Sequence, residues 1–166
     1  MSLQLGQFVL VALEEPGVFI FSFHFDHFPR SIKQVARANW EAQDVTIGVK
    51  PLAYGNREPL RIVVDELWLD KTDTNESLRA DIDKLRSFQV ERQLTGRPPA
   101  LLVLWGDNQE RVVLEEITID ETFFTPAGEP IRARVSLQFL ELQEDGEAVN
   151  VTIREDIDSG SGIGDF

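Results

Sequence analysis

The sequence contains no cysteine. Disulfides, thiolate metal sites and cysteine nucleophiles are therefore excluded. A chain of 166 residues must hold itself together through its core, and a domain of this size buries roughly 70% of its unfolded surface, so it can do so. Histidine is nearly as scarce, at two residues. Cationic side chains are few: 16 Lys and Arg stand against 29 Asp and Glu, a formal net charge of -13. Phosphate backbones are bound by Lys and Arg that release counterions, so nucleic acid is not an expected partner. Anionic membrane surfaces repel the chain on the same grounds. No apolar run approaches the about 20 residues that span a bilayer. The opening MSLQLGQFVL lacks the basic n-region of a secretory signal. The expectation is a soluble chain made in the cytoplasm, without membrane contact.

Motifs of chemistry are also missing. There is no Gly-x-Ser-x-Gly, no Walker-type loop and no His-Glu-x-x-His, and no solenoid-type repeat. His24, Asp26 and His27 form the one histidine-containing cluster. On a strand His24 and Asp26 share a face while His27 points away, which suits a turn better than a metal site. The doublets Asp65-Glu66, Glu115-Glu116 and Asp120-Glu121 put adjacent acids on opposite faces of a strand. Glycosidase chemistry needs two carboxylates facing each other across a cleft, so solvated edges and turns are the expected places for them. Gly160-Ser161-Gly162-Ile163-Gly164 follows no strand and precedes no helix, so it lacks the context of a nucleotide loop. No catalytic residue, cofactor or metal is expected.

What is present is clearest in Pro98–Leu142. Two prolines lead into the apolar run Ala100–Trp105, and Gly106-Asp107-Asn108 breaks it with turn residues. A second strand-like run, Arg111–Ile119, is closed by a loop containing Pro126, Gly128 and Pro130. Then Ile131, Ala133, Val135, Leu137 and Phe139 alternate with Arg132, Arg134, Ser136 and Gln138. Strict period-2 alternation marks a strand with one buried face. Short connections between the three strands predict an antiparallel meander.

The rest of the chain is read the same way. Gln7–Leu13 and Val18–Phe25 are strands of a hairpin, and Phe19, Phe21, Phe23 and Phe25 share one face of the second. Such a face belongs in a core or an interface. Ser31–Gln43 has Ile32, Ala36, Ala38 and Trp40 in phase and reads as a strand or a helix. Asp44–Glu58 is expected as a loop with a short hairpin arm, carrying Val45, Ile47 and Val49. Leu60–Leu69 is a strand whose β-branched centre suggests burial on both faces. One helix is predicted over about 75–90, with Asp73 or Asn75 as cap and Gly96 and Pro98 as stop. Its apolar stripe is Leu78, Ile82, Leu85 and Phe88 or Gln89. Asp145-Gly146 reads as a turn and Ala148–Ile153 as a last strand. From Glu141 to Phe166 there are eight acidic residues and one arginine. The reading is a β domain over 1–153 and an acidic Gly/Ser-rich tail over 154–166.

Several of these residues together carry a resemblance. Pro98-Pro99, Leu104-Trp105-Gly106, Phe123-Phe124 and Gly128-Glu129-Pro130-Ile131-Arg132-Ala133 follow one another in the order and spacing of the tube-type proteins of contractile injection systems, the phage-tail-like particles. The chain resembles the N-terminal domain of that family over roughly Leu5–Glu144. Phe23-His24-Phe25-Asp26-His27-Phe28-Pro29 departs from the family's Phe-x-Phe-Asn-Pro. The resemblance implies a mainly β fold, an antiparallel sandwich or barrel with one packed helix, and a strand over Ser31–Gln43. It implies a structural protein and not an enzyme. It also implies a homo-hexameric ring of the inner tube, or of the tube-initiating baseplate layer between spike and tube. Tube, spike and baseplate or sheath subunits would be its neighbours in the assembled particle. Many relatives continue into a LysM module, for which this sequence ends too early.

Candidate interface residues follow. Val45, Ile47, Val49 and Tyr54 lie on the expected arm, where a neighbouring subunit could cover them. Phe123 and Phe124, with Trp105, would plug a barrel end or meet a subunit in preference to lining a ligand pocket. Ile157, Ile163 and Phe166 are spaced as anchors along the acidic tail. The alternative is a lone ligand-binding β-barrel, with the phenylalanine face lining an aromatic cavity.

Overall fold

The computed structural model describes residues 7–14 and 18–142. Among these, the strands are β1 (Phe8–Glu14), β2 (Val18–Phe25), β3 (Ser31–Val35), β4 (Ala38–Ala42), β5 (Leu52–Arg57), β6 (Arg61–Asp70), β7 (Ala100–Trp105), β8 (Asn108–Phe124) and β9 (Pro130–Glu141), with one helix, α1 (Arg79–Ser87). Seven strands form one antiparallel sheet in the order β2-β1-β7-β8-β9-β6-β3. β4 and β5 pair separately. The class is mainly β with one packed helix, as the sequence implies.

The predicted meander is the centre of the sheet. Gly106 has a φ of 55°, a left-handed value that suits glycine, in the tight turn where Trp105 pairs with Asn108. On β9 the alternation becomes a buried face, with Ala133, Val135 and Phe139 fully enclosed. Val135 pairs with Leu67 on one side and Ile119 on the other. The same face continues through Leu101 and Val103 of β7 and Phe8, Leu10 and Ala12 of β1. The sheet curls until β2 and β6, near opposite ends of the strand order, touch across the interior.

α1 closes the concave side. Leu78, Ile82, Leu85 and Phe88 are all buried, so the predicted stripe is the packed one. The Phe88 ring lies 4.8 Å from that of Phe21. Lys84 holds its Nζ 6.0 and 5.9 Å from the Phe21 and Phe23 rings, within cation–π range. Phe23 and Phe25 pack on one another, and Phe25 on Phe8. These rings of the phenylalanine face fill a core, and Phe19 leaves it. Phe21 opposes Ala12 of β1 and Phe19 opposes Leu13, so Ile20 is an extra residue in β2, and Phe19 is exposed.

Several boundaries differ from expectation. Ser31–Gln43 is two strands: β3 joins the main sheet and β4 departs from it. Residues 36–37 carry no Gly or Pro, so nothing local announces the break. Leu60–Leu69 is not buried on both faces. Its burial alternates, because only the concave side of the sheet is covered. The helix is shorter than 75–90 and has no side-chain cap at Leu78; the Ser77 hydroxyl accepts from the Arg79 N–H at 3.2 Å. It ends at Ser87, well before Gly96, which instead turns the following loop at a φ of 65°. β8 runs beyond Ile119 to Phe124. The turn at Asp145-Gly146, the strand Ala148–Ile153 and the domain boundary at 153 lie outside the described residues.

Candidate subunit interface

The hairpin β4–β5 is built from cross-strand pairs and little else. Trp40 stands opposite Tyr54, with ring centroids 5.3 Å apart in an edge-on arrangement. Asn39 donates to the Asn56 side chain at 2.7 Å. Gly55 keeps the approach of the strands close beside them, since a Cβ there would sit a tight 3.3 Å from the Asn39 carbonyl oxygen. At the far end, loop 43–51 is closed by the Gln43 N–H donating to the Pro51 carbonyl at 2.9 Å. A Lys50–Asp44 ion pair at 2.7 Å spans the same loop.

The apolar side chains of this hairpin have no core of their own. Ile47 is 92% exposed and Val49 95%. Trp40, Val45, Leu52 and Tyr54 are exposed as well. Each such side chain, if covered, would contribute about 1.5–3 kcal/mol, and the isolated subunit realises almost none of it. The arm is longer than Asp44–Glu58. Trp40 and Leu52 belong to the same apolar surface, although Trp40 falls within the expected strand Ser31–Gln43. Val45, Ile47 and Val49 sit in the loop and not in either strand.

Phe123 and Phe124 are elsewhere. They pair with Arg132 and Pro130 at the start of β9, whereas the arm re-enters beside the other end of β9, where Arg61 pairs with Leu140. Nine residues at about 3.3 Å each separate Arg132 from Glu141, so the two patches lie roughly 30 Å apart. Both phenylalanines are half exposed. Phe123 and Trp68 flank the Arg132 guanidinium at 5.2 and 5.7 Å. Arg132 donates through Nε and Nη2 to Asp70 Oδ2 at 2.9 and 2.7 Å. Thr72 donates its hydroxyl and its N–H to Asp70 Oδ1 at 2.7 and 2.9 Å. A cleft of about 390 Å³ opens here, lined by His27, Trp68, Asp70 and Arg132.

Those donors change the acidity of Asp70. The Thr72 hydroxyl, then the Thr72 N–H, then Arg132 bring its pKa from 3.8 to about 2. A depressed carboxylate stabilises the fold fully above the unfolded value of 3.8, and that contribution disappears as pH falls through about 2. Urea midpoints measured from neutral pH into this window should therefore fall less steeply for Asp70→Asn than for the parent. Parallel profiles would show that Asp70 does not supply the acid sensitivity.

Two acid doublets do not behave as strand neighbours. Val64 pairs with Leu137 and Leu67 with Val135, so Asp65 and Glu66 together oppose Ser136. Glu66 takes a φ of 54° in this bulge. Asp65 accepts from Ser136 at 3.0 Å, and Glu66 pairs with Arg30 and Arg134. Both acids thus reach the same outer face, contrary to expectation, because the extra residue resets the alternation. Glu115 sits at a similar shift and holds Arg61 and Gln138. Glu66 and Glu115 are engaged in ion pairs across the sheet, and Asp65 in a hydrogen bond. Ser22 and His24 side chains meet at 3.2 Å on the exposed side of β2. Among the described residues, no group of three His, Asp or Glu is arranged to hold a metal. Ile157, Ile163 and Phe166 lie outside the described residues.

Comparison with known proteins yields one family. The model of the contractile injection system tube protein family matches residues 15–150. No curated protein matches the chain.

Proposed function

Since the chain belongs to the contractile injection system tube protein family, we propose that it closes with five further copies into a hexameric ring. The ring is a layer of the inner tube, or the tube-initiating layer between spike and tube. Its neighbours are tube, spike and baseplate or sheath subunits. The observation that carries this reading is the β4–β5 arm, an ordered hairpin whose apolar side chains are left to solvent. Patches of that kind mark protein–protein contacts. Val45, Ile47, Val49 and Tyr54 are its proposed contact residues. Phe123 and Phe124 form a second contact at the opposite end of the sheet. Ile157, Ile163 and Phe166 are proposed anchors on an adjacent layer.

The sheet edges support the same reading. Among the described residues β2 and β3 each have a partner on one side only. Unpaired edges invite pairing with another chain, and closed cyclic symmetry leaves none exposed within the ring. The arm is inserted between β3 and β6, so it leaves from the β3 side of the sheet. A contact made by the arm on a different surface of the next copy is head-to-tail, the type that generates rings. Native mass spectrometry and electron microscopy of the purified chain test this. Six-subunit rings are expected, as is the chain's presence in a tube or baseplate layer of purified particles. A chain that stays monomeric and is absent from particles would overturn the proposal.

A further inference from the structure

Resting on the reading of β4–β5 as the assembly arm, we infer that Glu141 is a positioning residue that fixes the arm's direction against the sheet. The hairpin shares no strand pairing with the main sheet. Its polar side-chain pairs Asn39–Asn56 and Lys50–Asp44 stay within it and cannot set its angle. At its base the Glu58 N–H donates to the Arg37 carbonyl at 2.9 Å, which closes the hairpin and adds no bond to the main sheet.

Three segments meet just beyond that base. Glu141, the last residue of β9, accepts at Oε2 from Arg57 Nη2 at 2.7 Å and from the Leu60 N–H at 3.0 Å. Its own N–H donates to the Leu60 carbonyl at 2.8 Å. Glu141 is therefore locked to the start of β6 through both backbone and side chain. From that fixed point it reaches Arg57, the last residue of β5, which pairs with Ala38 across the hairpin's base. One carboxylate oxygen joins the arm to two strands of the sheet. The Glu141 side chain is mostly enclosed, at 23% exposure, while Arg57 is 52% exposed. A half-exposed ion pair contributes little to global stability. A charge-assisted bond of short length still imposes direction. The consequence is for assembly: if the arm occupies its docking angle only about a tenth of the time, apparent affinity between subunits falls about tenfold.

The absence of cysteine makes the test direct. Thr46→Cys near the tip and Thr118→Cys on the exposed outer face of β8 place two spin labels on the full chain, held monomeric by dilution. The expected result is one narrow label-to-label distance in the parent. It should broaden in Glu141→Ala and in Arg57→Gln, with thermal stability of Arg57→Gln within a few degrees of the parent. Raised salt should broaden the parent too, since the pair is partly screened. Ring assembly by either variant should weaken about tenfold. Arg57 lies outside the main sheet, so Arg57→Gln carries the test if Glu141→Ala does not fold. A narrow parent-like distance in Arg57→Gln overturns the latch. A broadened distance with unchanged assembly leaves the latch standing and removes the arm from the interface.

Discussion

Val135→Asp is expected to lower the stability of the domain by about 3–5 kcal/mol, the scale of an uncompensated buried charge. Val135 is fully enclosed, with Leu67 and Ile119 as its cross-strand neighbours. Every side chain around it on the concave face is apolar, so no donor is at hand for the carboxylate. Native domains have only about 5–15 kcal/mol in reserve. The melting temperature should fall by about 10 °C or more, and a sizeable fraction of the protein should misfold at expression. Thr118→Lys is the matched control. It lies on the same sheet, exposed, opposite Ser136, and should shift stability by no more than about 0.5 kcal/mol. A thermal melt of Val135→Asp that overlays the parent would remove β9 from the centre of the core.

Deletion of Thr46–Tyr54 is expected to abolish ring formation while leaving the domain folded. The segment contains the loop tip and the first half of β5, and none of its residues belongs to the hydrophobic core cluster. Far-ultraviolet dichroism and the thermal melt should therefore stay near the parent. Ile47 and Val49 would be lost with it, and each is nearly fully exposed in the subunit. Interface energy concentrates in a few well-covered side chains, each worth 2 kcal/mol or more. Ile47→Asp and Val49→Asp should accordingly weaken assembly stepwise, without the folding cost that the same change carries at Val135. Normal rings or particles from the deletion strain would exclude the arm as a contact.

The sequence was most informative where one physical constraint acted alone. The period-2 run from Ile131 to Phe139 and the helical stripe from Leu78 to Phe88 each record burial on one side, and both hold. It misled where two constraints overlapped. The β-branched run Ile62–Val64 suggested two buried faces, yet Val63 looks outward; β propensity measures strand fit and not the number of covered faces. The departure of β4 from the sheet is invisible because Ala36-Arg37 has no turn signature, and the decision is made by which partner strand is available. The proposed contact residues Ile47 and Val49 are legible as apolar side chains in a loop of unusual length. Trp40 is not, because its partner Tyr54 is supplied by the fold. The Asp70–Arg132 pair, flanked by Trp68 and Phe123, was equally hidden, since its members come from β6, β8 and β9.

The bulges at Glu66 and Glu115 imply a rule of parity for this chain. β9 is hydrogen-bonded on both sides from Arg132 onward, and its neighbours carry the odd residues: two of β6 oppose Ser136, and Glu115 of β8 is the extra residue beside Gln138. β9 is thus the ruler against which the other strands are counted. Losing one residue from its middle would invert the alternation on one side of the gap, bringing either Arg132 and Arg134 or Gln138 to the interior. Losing two would restore the count. Loop 43–51, which answers to no partner strand within the subunit, is under no such arithmetic. For this protein the gravest small lesion is therefore a change of length and not of chemistry, and its severity depends on whether the number of residues is odd or even.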